Sequence, residues 1–93
     1  MIRSFRSRDA ALIWEGQASR RLPLDIQTRA LRKLRQLAAA TVLDDLRLPP
    51  SNRLEVLRGN RGGQMSIRIN DQWRICFRWE DGDANEVEIV DYH

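Results

Sequence analysis

The feature that most constrains this chain is the two-residue alternation running through its C-terminal third. In Gln64-Met-Ser-Ile-Arg-Ile69, Met65, Ile67 and Ile69 fall on one side, with Ser66 and Arg68 on the other. Trp73, Ile75, Phe77 and Trp79 repeat the pattern against Arg74, Cys76 and Arg78, and Val87 and Ile89 repeat it against Glu86 and Glu88. Successive side chains of a strand point to opposite faces, so each run predicts a strand with one apolar face. Asn70-Asp71 and Glu80-Asp-Gly-Asp83 separate the runs, and an Asp-Gly pair favours a type I′ hairpin turn. The expectation is an antiparallel meander, preceded by a short strand over Leu54-Glu-Val-Leu-Arg58 and the glycine-rich turn Gly59-Asn-Arg-Gly-Gly63. Arg68, Arg74 and Arg78 can then lie across from Glu86 and Glu88, where opposite-charge pairs contribute roughly 0.2–1 kcal/mol each.

Upstream, Met1 to Phe5 suits a short strand at the start of the sheet. Ser7 is a candidate N-cap for a helix of about two turns. Leu12, Ile13 and Trp14 supply its apolar bulk, and Gly16 stops it. Residues 17–21 read as a linker. Pro23 and Asp25 then open a second helix, with Asp25 able to cap it. Its apolar stripe is Ile26, Ala30, Leu31, Leu34, Leu37 and Ala38. Gln27, Thr28, Arg29, Arg32, Lys33, Arg35 and Gln36 fill the opposite side. Two readings of that basic face stay open: a solvated surface, or contact with RNA or an acidic partner segment through residues such as Arg32 and Lys33. Leu48-Pro49-Pro50-Ser51-Asn52 cannot continue a helix and marks the crossing to the sheet. At 93 residues the chain is expected to form one domain, 1–93. The expected class is α+β, with two N-terminal helices packed on one side of a mainly antiparallel sheet of four to five strands.

Charge is unevenly spread. Residues 1–78 hold all 16 basic residues and seven of the 13 acids, while residues 79–93 hold the other six acids. Fifteen of the 16 bases are arginine, whose planar fork grips phosphate bidentately and stacks on bases. A polyanion, RNA or DNA, is the partner this implies; an arginine-rich but merely solvated surface is the alternative. No apolar run approaches the ~18 residues of a membrane span. The single cysteine excludes an intramolecular disulfide, and the expected home is the cytoplasm.

One histidine, one cysteine and scattered carboxylates offer no metal-ligand spacing, and nothing implies a cofactor. Ser51, Ser66 or Cys76 as nucleophile would each need the one histidine, His93, as base, and Cys76 among large residues reads as inert filling. The residues that remain suit metal-free RNA cleavage. That reaction needs a base for the 2′-hydroxyl proton, a donor to the leaving 5′-oxygen, and cations for the pentacovalent phosphate. Asp91, Tyr92 and His93 can supply proton transfer, His93 having the free pKa nearest neutrality. Arg58, Arg61 and Arg74 are the natural phosphate clamps, and Glu55 can orient an arginine or assist the proton transfers. A frayed polar terminus is the competing reading of Asp91-Tyr92-His93.

Three segments make the chain recognisable: Arg53-Leu-Glu-Val-Leu-Arg-Gly-Asn-Arg-Gly-Gly-Gln64, Ser66-Ile-Arg-Ile-Asn-Asp-Gln-Trp-Arg-Ile-Cys-Phe-Arg-Trp79, and Val87-Glu-Ile-Val-Asp-Tyr-His93. With Ile2-Arg-Ser-Phe5, the chain resembles the HigB branch of the RelE-type toxins of type II toxin–antitoxin systems over nearly its whole length. The resemblance implies a ribosome-dependent, metal-independent endoribonuclease that cuts mRNA in the A site and inhibits translation. It implies a helix-turn-helix antitoxin of the HigA type as partner, with operator DNA bound only through the toxin–antitoxin complex. Carried over by position, the catalytic patch falls on Arg58, Arg74, Asp91, Tyr92 and His93, with Glu55 at a neighbouring position. Some relatives have histidine at 55 and lysine at 58, so only the positive charge at 58 is shared. A reading of another class stands beside this one: a degenerate toxin that binds RNA or protein without catalysis.

Overall fold

Each apolar run finds its strand partner one short turn away in the computed structural model, which describes residues 1–92. Strands β1 (Glu55–Val56), β2 (Met65–Arg68), β3 (Trp73–Glu80) and β4 (Asp83–Asp91) form one antiparallel sheet in sequence order. Asp81 and Gly82 both take positive φ, 52° and 79°, as a type I′ turn requires. Helix α1 (Arg8–Trp14) starts where the Ser7 hydroxyl accepts from the Ala10 amide at 3.3 Å. Helix α2 (Leu24–Ala39) lies beside it, and both pack on the apolar face of the sheet. Ile67, Ile75, Phe77 and Val87 from the strands meet Ala10, Ile13, Ile26, Ala30, Leu34 and Leu37 from the helices in one buried core. Among the described residues no helix is long and apolar enough to cross a membrane.

The structure departs from the sequence expectation where distant parts of the chain intervene. Met1 to Phe5 is no regular strand: Ile2 and Phe5 make isolated parallel bridges to Ala84 and Val87. Between those bridges Glu86 adopts φ 52°, and the register of β3 with β4 slips at Cys76 and Arg78, so the extra residue interrupts the ladder. The strand expected over Leu54–Arg58 shrinks to two residues. Arg53, left-handed at φ 45°, precedes it, and a 3₁₀ turn over Gly59–Arg61 follows it. Asp25 does not cap α2; Pro23 holds the cap position without a side-chain bond, and Asp25 sits inside the first turn, where the helix dipole still favours its charge. Trp14 is exposed and tilts against Phe5, ring centroids 6.5 Å apart, leaving Ile13 as the buried residue of its trio.

Lys33 is the largest departure. Placed by pattern on the polar face, it is 7% exposed. Its spacing from Ile26, Ala30 and Leu37 is that of the buried stripe. Its ammonium donates to the Oδ1 of Asn52, which has no exposed surface. Asn52 in turn directs its Nδ2 to the carbonyls of Leu46 at 3.1 Å and Leu48 at 3.3 Å and to the Gln36 Oε1 at 3.3 Å. One amide thereby ties two 3₁₀ turns, Leu43–Arg47 and Pro50–Asn52, to the middle of α2.

The N-terminal segment is also held by charge. Arg3 Nε donates to Asp83 Oδ2 at 2.6 Å, and that bond holds the Asp83 carboxyl below its usual range. A depressed carboxylate pKa stabilises the fold above the unfolded value near ~3.9 and loses that contribution as pH falls through the folded value. The urea midpoint of the wild type is therefore expected to drop more steeply below about pH 4 than that of Asp83→Asn. Parallel curves for the two proteins would remove this contact from the acid sensitivity.

Candidate active site

The pleat sends Glu55, Ser66, Arg74 and Cys76 to the sheet face away from the helices, while Arg68, at the end of β2, lies beside α2. Register sets Glu55 opposite Ser66, Ser66 opposite Cys76, and Arg68 opposite Arg74. Arg74 is 6% exposed, unusual for an arginine, and its guanidinium is held on three sides. Nε donates to Ser66 Oγ at 2.8 Å, and Nη2 donates to the carbonyls of Arg53 at 2.6 Å and Ser66 at 3.4 Å. Nη1 lies 3.8 Å from Glu55 Oε1, a looser contact. The left-handed backbone of Arg53 turns its carbonyl toward this cluster, a conformation uncommon for a residue with a side chain.

The C-terminal end of β4 closes over the same arginine. Tyr92 lays its ring beside the guanidinium, 5.4 Å from Cζ to the ring centroid, within cation–π range. Its amide donates to the Gln72 carbonyl at 2.6 Å, and the Gln72 side chain donates to Asp91 Oδ2 at 3.0 Å. Gln72, on the turn between β2 and β3, thus fixes both Asp91 and Tyr92. His93 lies outside the described residues.

The remaining clamp candidates divide. Arg58 is exposed at the head of the Gly59–Arg61 turn. Arg61 is less available than its sequence position suggests, because Nη1 donates to Gln64 Oε1 at 3.1 Å and to Glu88 Oε1 at 3.3 Å. Glu88, nearly buried, also attracts Arg6, whose Nε stands 3.2 Å from Oε2 but off the hydrogen-bond direction. The cross-strand pairs expected of Glu86 and Glu88 therefore reduce to one, Arg78 with Glu86 at 2.6 Å; Arg68 pairs with Asp71 and Arg74 with Glu55. Arg32 and Lys33 lie in a separate cleft beside α2. Burial pushes the Cys76 thiol up, as expected for a cysteine packed within the sheet.

Ser66 was weighed in the sequence only as a nucleophile and not as a partner of Arg74, and Gln72 and the Arg53 carbonyl were not among the candidates. The pairing of Ser66 with Cys76 and Arg68 with Arg74 puts Ser66 diagonal to Arg74, so a strand register drawn from the hairpin turn would have exposed the first. Backbone carbonyls leave no such signal.

Chemically, a weakly solvated guanidinium with two N–H groups of Nη1 loosely engaged offers an oxyanion a strong and fixed partner. The Glu55 carboxylate and the Tyr92 ring stand beside it. The same sheet-and-two-helix frame is found in a solved structure: the YoeB–YefM complex from Staphylococcus aureus contains a chain matching this one with a TM-score of 0.62 at 16% identity, covering 100% of this chain and 98% of that chain. A second structure, a heterotetrameric YoeB–YefM toxin–antitoxin complex from the same organism, matches with the same values. Residues 3–93 match the model of the RelE-like toxins HigB of type II toxin–antitoxin systems, and the chain belongs to that family. It is 46% identical over 70 residues to Toxin HigB-1 of Vibrio cholerae, covering 75% of this chain and 74% of the relative. It is also 31% identical to Endoribonuclease HigB of Proteus vulgaris over the full length of both.

Proposed function

We propose that this protein is the toxin of a type II toxin–antitoxin pair and acts as an endoribonuclease, cutting mRNA in the ribosomal A site without a metal. The observation that carries the reading is the buried Arg74 guanidinium, fixed by Ser66 and Arg53 and covered by Tyr92 where β4 ends. In the reaction the 2′-oxygen bonds to the adjacent phosphorus and the P–O5′ bond breaks, leaving a cyclic phosphate and a 5′-hydroxyl. His93 and Asp91 move the protons, from the 2′-hydroxyl and to the departing 5′-oxygen, with Tyr92 beside them. Arg74 stabilises the charge building on the phosphoryl oxygens, and Arg58 and Arg61 approach the strand from the neighbouring turn. Glu55, loosely paired with Arg74, is the group an incoming phosphate displaces.

With few strong bases at the site, positioning must supply much of the rate, and the ribosome is what positions the message. A helix-turn-helix antitoxin of the HigA type binds the toxin and carries it to operator DNA, and the pair works in the cytoplasm with the ribosomes. The expected result is cleavage of mRNA on programmed ribosomes and none of the same message free in solution over the same time. Equal cutting of free message would overturn the ribosome dependence.

A further inference from the structure

A cleft of about 370 Å³ opens between α2 and the end of β2, and neither Asp91 nor Tyr92 is among its lining residues. Arg29, Arg32, Lys33 and Arg68 line it, with Pro49 and Ser51 in its wall and no carboxylate among the lining residues. Its openness follows from the short first strand. β1 stops pairing at Ser66, so the Arg68 end of β2 has no strand beside it on that side. Arg29 is aimed across the gap, its Nη1 donating to the Ile69 carbonyl at 3.3 Å. At the floor, Lys33 is more than nine-tenths buried and its described hydrogen bond goes to a neutral amide, that of Asn52. Burial chiefly, and after it the nearby Arg29, Arg32 and Arg68, lower its pKa. Arg68 is paired with Asp71, whose own side chain is almost fully in solvent, where such a pair is worth little.

We propose that this cleft is a second phosphate-binding site, which takes a backbone phosphodiester of the same RNA strand whose scissile phosphate sits at Arg74. The proposal rests on the endoribonuclease reading and adds a subsite to it. Register makes the connection: Arg68, which lines the cleft, stands directly opposite Arg74 on the neighbouring strand, so the cleft begins one strand away from the buried arginine. A polymer with a charge on every unit can occupy both; a single carboxylate cannot. Three guanidinium forks around one concavity also match a phosphate's tetrahedral oxygens better than the two oxygens of an acidic side chain.

The test uses a single-stranded RNA octamer carrying 2′-O-methyl groups, which lacks the attacking hydroxyl and is not cut. It is titrated by fluorescence anisotropy into the wild type, Arg29→Gln/Arg32→Gln and Arg74→Gln between 50 and 200 mM salt. Both substituted arginines of the double variant are exposed, and its melting temperature checks that it folds. The expected result is an affinity lower by about tenfold, and a log–log salt slope reduced by about 0.7, the release from one phosphate on a single strand. Unchanged affinity and slope would overturn the proposal, as would no measurable binding by the wild type. An octaglutamate peptide binding the wild type as tightly as the RNA, and losing as much in the double variant, would assign the cleft to an acidic protein segment and overturn it too. Failure of the cleavage reading looks different: the wild type would leave ribosome-bound mRNA uncut while the cleft arginines still set RNA affinity.

Discussion

Arg74→Gln is expected to slow single-turnover cleavage of ribosome-bound mRNA by about 10²–10³-fold, the range seen when one preorganised oxyanion partner is removed. The effect should be that large because the guanidinium is nearly dry, so its field on a phosphoryl oxygen is little screened, and because its geometry is set before substrate arrives. Ser66 Oγ and the carbonyls of Arg53 and Ser66 consume its Nε and Nη2 hydrogens, leaving Nη1 to face the reaction. Arg74→Lys should rescue little. An ammonium keeps the charge but cannot satisfy the two carbonyls and the hydroxyl while also reaching a phosphate with a fork. Both variants also leave buried acceptors short of a donor, at about 1–3 kcal/mol, so rates must be compared where circular dichroism shows each protein folded. A rate within threefold of wild type for Arg74→Lys would mean that charge alone matters and the fixed geometry does not.

Asn52→Ala is expected to destabilise the fold by about 3–5 kcal/mol, toward the top of the range for single substitutions. The amide is fully buried and joins four partners; its loss strands the carbonyls of Leu46 and Leu48 and leaves the Lys33 ammonium without its acceptor. A urea-denaturation series reads the effect directly. Replacing both members, Lys33→Met with Asn52→Ala, should recover much of the loss, because the larger cost is an uncompensated buried charge rather than an absent bond. If the double variant is as unstable as the sum of the two single ones, Asn52 acts only as packing and as an anchor for the loop carbonyls.

The contrast between these two residues shows what could be read from the chain itself. Arg74 was accessible because it lies in a strand whose alternation is strict, and the segment ending Asp91-Tyr92-His93 carries a recognisable family likeness. The meander, the Asp81-Gly82 turn and the Ser7 cap were legible for the same reason: each depends on neighbours within a few residues. Asn52 and Lys33 were not. One is a polar residue in a proline-rich loop and the other a lysine in a basic run, and their meeting spans 19 positions of chain. The pairing of Arg61 was not legible either, since Glu88 reaches it from 27 positions away on β4. The slip at Glu86 belongs to the same class: a left-handed glutamate breaks an alternation that the sequence continues, and the N-terminal segment becomes a pair of bridges instead of a fifth strand.

The central claim is that the end of β4, set against Arg74, is where RNA is cut. Its most direct test is to map the 5′ ends of cellular mRNA after brief expression of the wild type, Arg74→Gln and His93→Ala, each at matched protein level. New 5′-hydroxyl ends within translated frames are expected for the wild type, with their absence or near-absence for both variants. Undiminished in-frame cuts from His93→Ala and Arg74→Gln would contradict it, and would move the chemistry away from this face of the sheet.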